Sequence, residues 1–318
     1  MKTKVLSRDF LKSNVIYIVF IVMLIGLSIF SDSFLSLNNF RNILRQSSFV
    51  GIVALGMTYI MIAGGIDLSV GSTMALAACV AASLSTEMGI VLPYPVAVLA
   101  GVAVGIIVGL INGYVVAYLG IVPFIATLGM QSVVRGVALV FTSGKPINAL
   151  TETYTNVGKS YVFGIPIPAI IFIILAAAAW FFLSRTKYGR YLYAIGGNEE
   201  AAIVAGLRVK FLKASTYVVG GAMAALAGII LSARIAAGTP NSGEMYDFYA
   251  IEAVVIGGTS NQGGTGGIIQ TIIGVLIIGV LNNGMDLLNI SGYYQKIVTG
   301  VVVVLAVIID RNNVNRNH

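Results

Sequence analysis

A chain of 318 residues that is 58% hydrophobic and only 10% charged leaves no room for a large soluble domain, because soluble domains carry roughly 25% charged residues. Its mean hydropathy of +0.94 makes it a polytopic membrane protein, and the net charge of +7 reads as the Lys and Arg excess of cytoplasmic loops rather than a nucleic-acid footprint. A lone cysteine, Cys79, excludes an intrachain disulfide and a multi-cysteine metal site, and a lone histidine, His318 at the last position, removes histidine catalysis from the membrane interior.

The first predicted element is a span over 15–31. Lys2, Lys4, Arg8 and Lys12 precede it, and no small-residue cleavage site follows at Phe30-Ser31-Asp32-Ser33-Phe34. It therefore reads as an uncleaved span with a cytoplasmic N-terminus. Residues 32–46 then lie outside as an interfacial helix, an assignment that Arg41 and Arg45 weigh against. Further apolar runs predict spans at 48–65, 70–87, 91–118, 123–142, 165–184, 214–236, 248–259, 266–284 and 294–310, about ten in all for spans of about 20 residues. Counting from inside, 143–164 falls outside, while the basic stretch 185–213 and the C-terminus with Arg311 and Arg316 fall inside. The expected fold class is an all-α polytopic membrane protein, a single transmembrane domain over 1–318.

Two predicted spans are interrupted, near 64–72 and 257–264. Gly64-Gly65 and Gly257-Gly258 are each followed by a glycine seven residues after the first, Gly71 and Gly264. The run 248–259 is also too short to cross about 30 Å as a helix. Paired interruptions of this kind mark solute paths in transporters. Gly101, Gly105, Gly109 and Gly113 recur every four residues on one helix face, and Gly220, Ala224 and Gly228 repeat the device. Such faces pack helices closely within a chain, with a dimer seam as the other reading.

Asp67 is the sharpest intramembrane charge, either capping a helix that begins near Ser69 or lining a solute path. Ser69, Asn112, Gln131, Arg135, Glu252, Asn282, Asn283 and Asp286 are further polar groups in or near apolar runs. Amides either bind hydroxyls of a solute or glue helices together. Gly158-Lys159-Ser160 imitates the end of a phosphate loop, but the first glycine of that motif falls on Thr153. The chain thus carries no nucleotide-binding or catalytic motif of its own, and no metal site is expected.

The stretch 185–213 holds six of the nineteen Lys and Arg residues, namely Arg185, Lys187, Arg190, Arg208, Lys210 and Lys213. Between the basic clusters, Asn198-Glu199-Glu200-Ala201-Ala202 starts a helix that Asn198 can N-cap, with both glutamates at its positive end. A loop of this composition contacts either another protein or anionic lipid.

Gly65–Ser72, Ala194–Ala202, Val255–Ser260, Leu281-Asn282-Asn283-Gly284 and Tyr293-Tyr294-Gln295 occur in that order. Over about 35–310 the chain resembles the permease subunit of ribose-type sugar ABC importers, whose members also carry xylose, galactose, arabinose and related sugars. The resemblance implies a bacterial inner-membrane location and a second permease copy or sister permease. It implies a cytoplasmic ATPase with tandem nucleotide-binding modules, which binds the ATP and Mg, and an extracytoplasmic sugar-binding protein. The docking segment of the family corresponds to Gly196–Gly206, with Gly197, Asn198, Glu199, Glu200 and Ala201 in that role. Asp67, Ser69, Asn112, Glu252, Asn282 and Asn283 are the candidates for the translocation path. One departure stands out: where the family pattern runs Tyr, then Glu-Leu-Asp-Ala-Ile-Ala, this chain has Tyr246, then Asp247-Phe248-Tyr249-Ala250-Ile251-Glu252. The competing classes are an ion-coupled secondary transporter built on Asp67, Glu252 and Asp286, an intramembrane enzyme, and a passive channel.

Overall fold

The computed structural model describes residues 15–301, with side chains from residue 20 onward. Helices α1 (Val15–Phe30), α2 (Leu37–Ile62), α3 (Val70–Ser83), α4 (Tyr94–Ala117) and α5 (Pro123–Thr142) come first. A short helix α6 (Glu152–Lys159) and a hairpin of β1 (Tyr161–Val162) and β2 (Ile165–Pro166) follow. The rest comprises α7 (Ile167–Arg185), α8 (Lys187–Gly197), α9 (Glu199–Val204), α10 (Val209–Ile235), α11 (Tyr246–Ile256) and α12 (Ile268–Leu287). Residues 292–301 are helical and begin the last predicted span, the remainder of which lies outside the described residues. Among the described residues, α2, α4, α5, α7, α10 and α12 are long and apolar enough to cross a membrane.

The separate interfacial helix expected at 32–46 does not exist. Ser36 is extended and its hydroxyl accepts from the Asn39 N–H at 3.2 Å, so α2 starts at Leu37. No glycine or proline then breaks the chain before Gly51, and α2 continues for 26 residues. Arg41 and Arg45 are accommodated by the hairpin. Their guanidinium groups lie 5.5 and 4.9 Å from the Tyr161 ring centre, a cation–π geometry, and Arg41 Nε donates to the Gly164 carbonyl at 2.9 Å. The hairpin, with two residues in each strand, is a minor addition to an otherwise helical chain. Its turn residues Phe163 and Gly164 both have positive φ, 51° and 80°, the signature of a two-residue turn whose twist suits a hairpin.

Both expected interruptions are present. α2 stops at Ile62 and α3 starts at Val70, with Gly64 at φ 78° turning the chain back. α11 has 11 residues, about 17 Å, well short of a bilayer core. Loop 257–267 separates it from α12.

The buried core centres on α2 and α10. From Ser47 to Ile62 every residue of α2 is buried. α4 lies against α10 through the predicted glycine face, since a Cβ on Gly105 would sit 2.2 Å from the Gly221 carbonyl oxygen and one on Gly109 2.3 Å from that of Tyr217. The second stripe turns to other neighbours, Gly220 toward Ile60 of α2 and Gly228 toward the Met74 backbone of α3. The stripes therefore pack helices within the chain. Gly105→Leu is expected to lower the thermal midpoint in detergent by roughly 5 °C or more, because overpacking against backbone costs about 1–3 kcal/mol. An unchanged midpoint would contradict this packing.

Candidate functional site

The segment 186–213 builds an elbow of two short helices at one end of the bundle. Thr186 N-caps α8 through the Gly189 N–H at 3.4 Å. Asn198 is extended, with φ −159° and ψ 103°, and its Oδ1 accepts from the Ala201 N–H at 2.9 Å, so a fresh helix starts where α8 ends. Glu199 and Glu200 occupy the first turn of α9, where the helix dipole favours negative charge. Glu199 also pairs with Lys213 of α10 at 2.8 Å, which steadies the elbow. Gly197, Asn198, Glu199, Glu200 and Ala201 are all exposed, and within α9 only Ala202 is buried.

Sequence reasoning missed the apolar part of this surface. Ile203 is 57% exposed, Val204 88% and Phe211 61%, and Ile203 and Phe211 line a shallow cavity with Leu207 and Tyr118. An exposed apolar patch rimmed by charge is an interaction surface by default. The clue was available, since a six-residue helix that buries only Ala202 leaves its isoleucine and valine without a partner.

The elbow is joined to both chain interruptions. A Cβ on Gly196 would fall 1.9 Å from the Ile62 carbonyl oxygen and 2.4 Å from the Gly264 nitrogen. The Gly264 N–H itself donates to the Ile62 carbonyl at 3.0 Å. Gly263 meets Gly64 and Gly196, and Gly264 meets Gly197, all backbone against backbone. Tyr193 of α8 adds a hydrogen bond to the Gly266 carbonyl at 2.8 Å. The end of α2, the α11–α12 loop and the elbow thus form one glycine junction.

Three of the predicted polar groups come together inside the membrane. Asp67 is 1% exposed. Its Oδ1 accepts from the Ser69 N–H at 2.8 Å and the Ser69 hydroxyl at 2.6 Å. Asn112 of α4 donates to Asp67 Oδ2 at 3.2 Å and to Ser69 Oγ at 2.8 Å. Thr127 of α5 accepts from the Leu68 N–H at 3.1 Å, and the Tyr217 hydroxyl of α10 donates to the Ile66 carbonyl at 3.3 Å. Donors and acceptors of the broken helix are thereby satisfied within the break and from three neighbouring helices. Ser69 is the formal N-cap of α3 but makes no side-chain cap bond, and Asp67 serves the residue before the helix. The cluster is closed in this conformation.

The other candidates sit apart from it. Asn283 exchanges two amide hydrogen bonds with Asn39 at 2.9 and 2.8 Å, tying α12 to the start of α2, while Asn282 beside it is half-exposed. Asn39→Leu alone is expected to strand the Asn283 amide, at about 1–3 kcal/mol, and adding Asn283→Leu to recover part of that loss in thermal-midpoint measurements. Additive losses would contradict the pairing. Glu252 is 1% exposed, and neither of its oxygens has a hydrogen-bond partner among the described residues. Arg135, whose partner the sequence left unnamed, donates to the Pro240 carbonyl and, at 3.0 Å, to that of Ser242. Gln131 donates to the buried Asp247 at 3.4 Å. Asp286 accepts from Gln295 at 2.9 Å.

Residues 39–307 match the family model described as branched-chain amino acid transport system / permease component. The ribose import permease protein of Bacillus subtilis is 45% identical over 91% of this chain and 90% of its own length. The D-allose transport system permease protein of Escherichia coli is 38% identical over 94% and 91%. The galactose/methyl galactoside import permease protein of Haemophilus influenzae is 37% identical over 96% and 95%. No solved structure matches the chain.

Proposed function

The chain belongs to the branched-chain amino acid transport system / permease component family, alongside its sugar-import members, and we propose that it carries a monosaccharide, ribose or a related pentose or hexose, through the bacterial inner membrane. It is the permease subunit of an ATP-driven importer and not itself an enzyme. An ATPase and a binding protein complete the importer. Relatives that are import permeases set aside the ion-coupled reading.

The finer assignments extend this reading. A second copy or a sister permease pairs with the chain, and the ATPase carries tandem nucleotide-binding modules with ATP and Mg bound there. About ten spans cross the membrane within the single domain 1–318, with both termini and loop 185–213 in the cytoplasm. Gly197, Asn198, Glu199, Glu200 and Ala201 meet the ATPase. Asp67, Ser69, Asn112, Glu252, Asn282 and Asn283 belong to or brace the path.

One observation supports the mechanism most directly: the exposed elbow touches both helix interruptions through the glycine junction. ATP-driven closure of the engine moves α8 and α9. Because backbones are in contact at Gly64, Gly196 and Gly263, little slack absorbs that motion. It passes into α2, α3, α11 and α12 as rigid-body rocking, which opens the path to each side in turn. A neutral sugar needs hydroxyl and amide groups rather than a charged channel.

Reconstituting the chain with its ATPase and binding protein in proteoliposomes tests this. Accumulation of a monosaccharide should require ATP and survive an ionophore that collapses ion gradients. Loss of uptake on adding the ionophore while ATP stays high would overturn it.

A further inference from the structure

Of the buried carboxyl groups Asp67, Asp247 and Glu252, the first and the last have opposite circumstances. Asp67 is fully engaged by Ser69 and Asn112. Glu252 is as deeply buried, yet neither oxygen has a hydrogen-bond partner among the described residues. A carboxyl group sealed in this way destabilises the resting fold, since most buried polar groups find partners. An intramembrane carboxyl kept at such cost is a functional group whose partner arrives from elsewhere.

Its surroundings indicate what kind of partner. Tyr246, Tyr249 and Glu252 follow one another at three-residue spacing on α11, so adjacent members are neighbours on the helix surface. The two tyrosine rings meet edge to face at 6.0 Å and are both partly exposed. The partly exposed Tyr249 ring offers an aromatic contact surface. Aromatic faces followed by hydrogen-bonding oxygens suit a small polyol, whose C–H faces are apolar and whose hydroxyls need partners.

α11 is bounded at each end by a residue of left-handed backbone. It lies between Met245, with φ 69°, and Gly258, with φ 94°. Its far end leads into the loop that carries Gly263 and Gly264 of the glycine junction.

We propose that Glu252, with Tyr249 and Tyr246 preceding it on α11, forms a subsite that takes the hydroxyl groups of the passing sugar when α11 pivots between Met245 and Gly258. This rests on the sugar-importer reading. Glu252 is covered in the conformation described here and is exposed to the path in the other. The sugar then supplies the hydrogen bonds that the resting protein lacks, and the unpaired carboxyl prevents the closed state from becoming a trap.

The complete importer in proteoliposomes provides the test. Glu252→Met should cut uptake about tenfold or more, as expected when a hydroxyl-binding group is removed. Its thermal midpoint should be unchanged or raised, because an apolar side chain of similar volume replaces an unpartnered carboxyl. Glu252→Gln should retain most of the uptake. In a Cys79→Ser background, Glu252→Cys should react with a hydrophilic thiol reagent during ATP turnover, and transported sugar should slow the labelling. Uptake by Glu252→Met within twofold of wild type, or a loss of uptake accompanied by a lowered midpoint, would overturn the assignment. Absence of thiol labelling in every nucleotide state would do the same. The unmodified complex keeps the two readings separable: if it takes up no monosaccharide with ATP, the importer reading fails, whereas uptake that Glu252→Met leaves intact removes the Glu252 subsite alone.

Discussion

Glu199→Arg combined with Glu200→Arg is expected to uncouple ATP hydrolysis from uptake while the chain still folds and inserts. Both side chains are exposed, and the only ion pair at stake among the described residues is that of Glu199 with Lys213. A pair of this exposure contributes about 0–1 kcal/mol, so the fold should tolerate the change. The consequences for docking are larger. Reversal sets two guanidinium groups at the positive end of α9 and joins them to Arg208, Lys210 and Lys213, leaving the elbow basic throughout. A partner surface complementary to the acidic start of α9 then faces like charge, at a cost of several kcal/mol. Each 1.4 kcal/mol is tenfold, so uptake should fall by about 100-fold and less ATPase should co-purify. Lys213→Gln, which removes the internal pair but keeps the acidic face, should leave uptake within about threefold. Full uptake with normal ATPase co-purification in the double variant would remove α9 from the docking surface.

The elbow was legible because its signals are local. Asn198 followed by two glutamates is a helix start wherever it occurs, and the cap is present at 2.9 Å. The predicted span 123–142 coincides with α5, where Pro123 opens the helix and Ser143, with φ 52°, closes it. The beginning of α2 was not legible. Asn38, Asn39, Arg41, Asn42 and Arg45 make residues 37–46 too polar for a hydropathy window, and what accommodates them lies elsewhere: Asn283 for Asn39 and Tyr161 for the arginines. Asp67, Ser69 and Asn112 could be named as polar groups, but their meeting depends on how α4 lies against α10 through Gly105 and Gly109. The hairpin escaped notice because two residues per strand are too few for a periodic pattern. The glycine junction escaped for a different reason. Gly64, Gly196 and Gly263 carry no side chain that would announce a contact, and more than 60 residues separate each from the next.

That junction predicts a contrast between neighbouring glycines. Gly196→Ala should reduce uptake about tenfold or more and lower the thermal midpoint by several degrees, whereas Gly197→Ala should leave the midpoint unchanged. The new methyl at position 196 would lie 1.9 Å from the Ile62 carbonyl oxygen, on the line of the Gly264 hydrogen bond, whereas one at position 197 meets nothing within 4 Å. Backbone atoms cannot step aside as a flexible side chain can, so the end of α2 and the α11–α12 loop must separate, at a cost of about 1–3 kcal/mol. The stability loss alone does not distinguish a packing contact from a transmitting one. The ratio of ATP hydrolysed to sugar moved does. If the elbow drives the interruptions through this contact, Gly196→Ala will keep ATP hydrolysis in the assembled complex and raise that ratio, since the engine closes while α2 and α11 follow incompletely. If the contact is only packing, hydrolysis and uptake will fall together with the amount of folded complex and the ratio will stay constant. A constant ratio would move the transmission route away from Gly196 and leave the Glu199–Lys213 pair as the next connection between α9 and the spans to examine.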